Sequence, residues 1–124
     1  MLAPPVIHNQ SQMTPQQREH GVMPWMYILE CADGAFYTGS TNGDVAARVW
    51  AHNFDDVHSA AFTRKRRPVR LVYAEDYPTV DAAFAREKQV QGWSRRKKLA
   101  LIEGRVDELP ALSRPGAGGD EPDP

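Results

Sequence analysis

Apolar residues fall along this chain in three short strand-like runs and in helical stripes, separated by turn-forming residues. Residues 25–31 (WMYILEC) are aromatic and aliphatic, bounded by Pro24 and by Asp33-Gly34, which predicts a strand entering a tight hairpin. Residues 35–40 (AFYTGS) return as the second strand, and Gly39 within it predicts a bulge or the close approach of another group. Asn42-Gly43-Asp44 supplies a turn and an N-cap, after which DVAARVWAHN predicts a helix with Val45 and Val49 inward. Residues 54–68 read as a polar, basic loop ending at Pro68. Residues 69–75 (VRLVYAE) predict a third strand with Val69, Leu71 and Tyr73 on one face and Val72 on the other. Thr79 then caps a helix over residues 80–91 with apolar positions Val80, Ala83, Phe84 and Val90. Gly92 interrupts it, and Ser94 caps a last helix whose apolar side is Leu99, Leu101 and Ile102. The order β-β-α-β-α-α implies an α+β fold, with helices packed on a small three-stranded sheet.

The ends lack such patterning. Residues 1–22 carry Pro4, Pro5 and Pro15 with no sustained apolar period, and Met23 stands directly before the first strand. They are expected to be a disordered leader or a mis-assigned start. Residues 113–124 are rich in Pro, Gly and acidic groups and are expected to be a disordered acidic tail. One folded domain over residues 23–112 remains, enough for a modest core. Cys31 is the only cysteine of the 124 residues, which excludes an internal disulfide or a cysteine zinc site. No apolar run reaches transmembrane length, so a soluble cytoplasmic protein is expected.

The formal net charge of -1 hides an asymmetry. Residues 23–102 hold 12 Lys and Arg against 9 Asp and Glu, whereas residues 103–124 hold 2 against 6. The basic residues cluster at Arg64-Lys65-Arg66-Arg67 and at Arg95-Arg96-Lys97-Lys98, with Lys88 between them. Such clusters suit a polyanion, and equally a solvated face.

Glu87 is the sharpest single position. It lies four residues from Ala83 and three from Phe84 and Val90, on the helix face expected to be buried. A buried carboxylate needs a cation, a metal or hydrogen bonds. An ion pair with an arginine such as Arg48 would satisfy it, and so would a hard metal ion completed by water and phosphate oxygens. Arg48 and His52 stand four apart and share a helix face, where an arginine can grip a phosphate and a histidine can move a proton. Tyr27 and Tyr37 occupy the two strands of one hairpin. Core packing explains a strand tyrosine, and catalysis requires neighbouring cations that favour its phenolate.

With these residues assembled, the chain resembles the short, single-domain bacterial branch of the GIY-YIG endonuclease superfamily. The resemblance covers about residues 24–112 and is carried by WMYIL, CADG, YTGST, the Arg48–Asn53 run, FTRKRRPVRLVY and AFAREKQVQGWSRRKKLALI. It departs in Trp-Met-Tyr for Gly-Ile-Tyr, in Tyr-Thr-Gly for the second motif, and in the glycine-free loop FDDVHSAAF around Asp55, Asp56 and His58. The late asparagine of larger members has no obvious counterpart.

The resemblance implies a three-stranded antiparallel sheet flanked by helices and metal-dependent cleavage of phosphodiesters. It would make Tyr27 the activator of the attacking water, with Tyr37 shaping the site. Arg48 would steady the phosphate, His52 would assist nearby, and Glu87 would hold one Mg²⁺ or Mn²⁺. The larger nucleases gain selectivity from extra domains. Here the reading of DNA, or of RNA, would fall to Arg64, Lys65, Arg66, Arg67, Lys88, Arg95 and Lys98, through backbone contacts. The expected function is a DNA endonuclease acting in repair or on branched or single-stranded DNA. The competing reading is a catalytically weak nucleic-acid-binding module of the same fold.

Overall fold

The computed structural model describes residues 6–8 and 23–112. Its elements are β1 (Val6–His8), β2 (Trp25–Glu30), β3 (Phe36–Thr41), α1 (Val45–Phe54), α2 (Ala61–Arg64), β4 (Arg70–Asp76), α3 (Val80–Gln91), α4 (Arg95–Ile102), a 3₁₀ turn (Val106–Glu108) and α5 (Leu109–Leu112). The fold is α+β. Strands β3, β2 and β4 form the expected three-stranded antiparallel sheet, with β2 in the centre. A short fourth strand, β1, lies parallel to β4, giving the order β1-β4-β2-β3. It falls within residues 1–22, expected to form a leader without structure. The rest of that segment and the acidic tail lie outside the described residues.

Local chemistry accounts for the boundaries. Gly34 closes the β2–β3 hairpin at φ +86, a conformation that L side chains rarely adopt. Asp44, Thr79 and Ser94 each accept a backbone N–H in the first turn of α1, α3 and α4, as N-caps do. The polar loop of residues 54–68 contains the single helical turn α2, which the sequence reading missed.

Each face of the sheet carries its own apolar cluster. On one, Met26, Ile28, Phe36 and Tyr73 pack with Val90 of α3 and Leu101 of α4. On the other, Tyr27, Leu29, Cys31, Val69 and Ala74 pack with Val45 and Val49 of α1. The expected alternation of β4 fails at one point. Ile28 pairs with Tyr73 but Leu29 pairs with Leu71, so Val72 is an extra residue at a bulge. Tyr73 is thereby turned to the face opposite Leu71 and joins the cluster that Val72 also touches.

Helix α3 differs from expectation too. Its buried face is Ala83, Glu87 and Val90, while Val80 and Phe84 are about half exposed. The helix packs mainly along β3, the edge strand, and only a narrow stripe turns inward.

Candidate active site

The polar residues singled out from the sequence converge on the β3 edge of the sheet. Tyr27 lies in the central strand, fully buried, directly opposite Gly39 of β3. A Cβ added to Gly39 would stand 2.7 Å from both Cζ and the hydroxyl oxygen of Tyr27. Glycine is therefore needed so that the tyrosine can lie across the edge strand; the close approach expected of Gly39 is that of the Tyr27 ring.

His52 projects from α1 into the same space and is fully buried. Its Nε2 is 2.9 Å from the Tyr27 hydroxyl, and its Nδ1 is 2.8 Å from Oγ1 of Thr63 on α2. The Thr63 hydroxyl in turn donates to the Ala60 carbonyl at 3.0 Å. A hydroxyl has one proton, so the assignment that satisfies both Thr63 contacts has His52 Nδ1 donating to Thr63. Nε2 is then the acceptor, and Tyr27 donates to it. Burial, reinforced by the charges of Arg48 and Arg67, lowers the His52 pKa to about 4, so the ring is neutral at pH 7.

Burial raises the Tyr27 hydroxyl well above its ordinary value. Tyr37 and Glu87 push in the same direction, and Arg48 opposes them through its charge and a side-chain hydrogen bond. Tyr37, half-buried, sets its ring 5.0 Å from that of His52 and is raised as well, chiefly by burial and then by Glu87.

Glu87 reaches the cluster from α3 and is 8 % exposed. Ser40 of β3 donates to its Oε1 at 2.6 Å, and Gln91 donates to its Oε2 at 2.7 Å. Lys88 Nζ stands 3.5 Å from Oε2. The ion pair with Arg48 weighed above is not found among the described residues. Two neutral donors, one on each oxygen, and the Lys88 ammonium beside Oε2 hold the carboxylate instead, and acceptor capacity remains on both oxygens. Among the described residues no cluster of three or more metal-ligating groups occurs. Glu87 is thus a lone carboxylate, a donor type that hard divalent ions accept when water and phosphate oxygens complete their shell.

The basic residues divide. Arg67 donates to the carbonyls of His52 and Asp55, to the Asp56 carboxylate and to the Ser59 hydroxyl, so it clasps the loop onto α1. Arg64 donates to the hydroxyl and carbonyl of Ser59, and Arg66 pairs with Asp33 while lying over the Phe62 ring. Lys65, Lys88 and Arg95 are exposed, with Arg95 over Phe36 at 4.3 Å and Lys88 over Phe84 at 4.9 Å. Lys98, expected at the surface, is 2 % exposed and lines a groove beside Tyr37.

Ser40, Thr63 and Gln91 belong to the site, and the sequence reading did not find them. Thr63 and Ser40 offered no local signal. Gln91 did, standing four residues after Glu87 on the same helical face. Asn53, the end of the Arg48–Asn53 run, has a role not anticipated from sequence; its side chain makes paired hydrogen bonds with the backbone of Val69 and so ties α1 to the start of β4.

The pattern described as the GIY-YIG catalytic domain matches residues 23–100. UPF0213 proteins of Staphylococcus aureus, among them those of strains Mu50 and N315, are 46 % identical over 81 residues, covering 65 % of this chain and 95 % of theirs. The solution NMR structure of a UPF0213 protein from Bacillus halodurans is 41 % identical, covering 65 % of this chain and 83 % of that one, with a TM-score of 0.42. The chain belongs to the GIY-YIG family, a superfamily of nucleases.

Proposed function

We propose that this GIY-YIG protein is an endonuclease that hydrolyses phosphodiester bonds in DNA, acting in repair or on branched or single-stranded substrates. The observation that carries this reading is the buried chain Tyr27–His52–Thr63, whose hydrogen bonds leave Nε2 of a neutral histidine accepting the tyrosine proton. Held this way, and with Arg48 donating to it, the Tyr27 oxygen keeps one lone pair for a water molecule. As that water attacks phosphorus, Tyr27 takes one of its protons and passes its own to His52 Nε2. No free phenolate forms, which matters because burial disfavours one here. The imidazolium is disfavoured too, partly by the charge of Arg48, and a phosphate docked on Arg48 offsets that charge. Tyr37 packs against the His52 ring and shapes the phosphate side of the site.

Glu87, with Ser40 and Gln91 fixing its two oxygens, would hold a single Mg²⁺ or Mn²⁺. When bound, such an ion supplies positive charge to offset that of the leaving oxygen. In this reading Lys65, Lys88 and Arg95, all exposed, grip the DNA backbone. Among the described residues no helix is long and apolar enough to cross a membrane.

The test is cleavage of single-stranded, duplex, flap and four-way-junction DNA in Mg²⁺ or in EDTA, by wild type and Glu87→Gln. Cleavage that disappears in EDTA and in the variant, with DNA binding retained, is the expected result. Turnover surviving in Glu87→Gln would remove the carboxylate from metal binding. Binding without cleavage of any substrate would overturn the nuclease reading in favour of a binding module.

A further inference from the structure

A groove of about 290 Å³ opens beside the Tyr27–His52 pair, lined by Phe36, Tyr37, Thr38, Phe62, Gln91 and Lys98. Its walls are aromatic. Phe62 stacks on Tyr37 with ring centroids 6.1 Å apart and planes at 29°. Two of these rings carry a cation, the Arg66 guanidinium standing 3.9 Å over Phe62 and that of Arg95 4.3 Å over Phe36. Thr38 and Gln91 add polar groups to its lining. The Thr38 hydroxyl is buried without a hydrogen-bond partner among the described residues, and Thr38 is only 3 % exposed. A buried hydroxyl left unpaired is unfavourable, and a ligand supplying the partner would relieve it. Gln91 gives its amide hydrogens to the Thr38 carbonyl and to Glu87, so its own carbonyl oxygen is the acceptor it can offer.

We infer that this groove is a nucleobase-binding subsite, in which an unpaired base beside the scissile phosphate stacks against the aromatic walls while Thr38 and Gln91 meet its polar edge. This deepens the nuclease reading above and rests on it for the placing of the phosphate. Three features select the ligand. Aromatic walls flanked by cations are how proteins hold unstacked bases. The unpaired hydroxyl asks for a ligand with its own donors and acceptors, as a base edge has and a lipid chain lacks. Continuity with the catalytic cluster is direct, because Tyr37 borders both the groove and His52, and Gln91 joins the groove to Glu87. A base still paired in a duplex cannot enter a single-base groove, so the subsite favours single-stranded or extruded nucleotides.

The test compares affinities, measured by fluorescence anisotropy in EDTA, for oligothymidine and for an abasic oligomer of equal length and charge. Backbone gripping alone predicts equal affinities. Stacking is worth about 1–3 kcal/mol per base, so roughly tenfold or tighter binding of oligothymidine is expected. Thr38→Val, which keeps the shape and removes the hydroxyl, and Phe62→Leu should each shrink that ratio while leaving abasic affinity unchanged. Equal affinities in the wild type, or a ratio that neither variant alters, would overturn the subsite. The ratio is read without metal or turnover, so the absence of cleavage in parallel Mg²⁺ reactions counts against the nuclease reading alone.

Discussion

Glu87 was legible from helical spacing alone, because a carboxylate in phase with Ala83 and Val90 had to be buried. What surrounds it was not. Ser40 is 47 residues away in the chain and Thr63 is 11 from His52, and no periodic pattern encodes such pairings. Gly39 was legible in kind, since a glycine inside a strand signals a bulge or a close approach, but not in its partner. Its dependence on Tyr27 yields a sharp prediction. Gly39→Ala puts a Cβ where the tyrosine ring lies, and a buried aromatic in a close-packed site moves only with strain. Overpacking of this kind costs about 1–3 kcal/mol, measurable by urea unfolding. The displaced hydroxyl should lower the cleavage rate by roughly 10²-fold, the lower end of what proton transfer contributes. A folded variant with native activity would mean that Tyr27 need not lie over β3.

At the level of elements, caps and turns were read correctly because they are local. Asp44, Thr79 and Ser94 accept backbone hydrogens within three residues of themselves, and Gly34 carries the turn. Errors arose where tertiary packing overrode periodicity. The bulge at Val72 reverses the inward face of β4, and the edge position of β3 leaves Phe84 of α3 half exposed. The basic stretch of residues 64–67 shows the same limit, since charge alone does not distinguish a DNA contact from a loop clasp. Arg67→Ala removes hydrogen bonds to four groups that hold the loop against α1, and should destabilise the fold by about 2 kcal/mol in urea unfolding. Lys65→Ala should leave stability within about 0.5 kcal/mol and weaken DNA binding uniformly across sequences, with a shallower salt slope. The reverse pattern would make Arg67 the DNA contact and Lys65 a bystander.

The whole molecule joins two apolar clusters through one sheet and gathers its chemistry at one edge of that sheet. The three antiparallel strands and their flanking helices were anticipated; β1 was not, because a three-residue strand among prolines carries no usable period. Burial of His52 within this frame links the site to folding. In the unfolded chain His52 takes up a proton near pH 6.5, whereas in the native protein it does so only near pH 4. Between those values the unfolded state holds more protons, so stability falls as pH drops from about 6.5 towards 4, and this contribution is constant below. A shift of that size corresponds to roughly 3 kcal/mol at most. Asp55, held down to about 2 by hydrogen bonds from His58 and Val57, acts only below its unfolded value near 3.8, outside this window. Glu75, lowered by hydrogen bonds from Arg86, Tyr73 and Tyr77, adds a loss only at the acid end. Urea midpoints at pH 7, 6 and 5 should decline stepwise in the wild type and much less in His52→Gln. Identical pH dependence in the two proteins would show that His52 is not the group responsible.

The most direct measurement is single-turnover cleavage of a labelled oligonucleotide in Mg²⁺ by wild type and Tyr27→Phe, with DNA affinity measured alongside. The phenyl ring keeps the packing over Gly39 and removes only the hydroxyl that His52 orients. A rate lower by roughly 10²-fold or more at unchanged affinity is expected. Equal rates would contradict the account, because the proton of the attacking water would then pass through some other group.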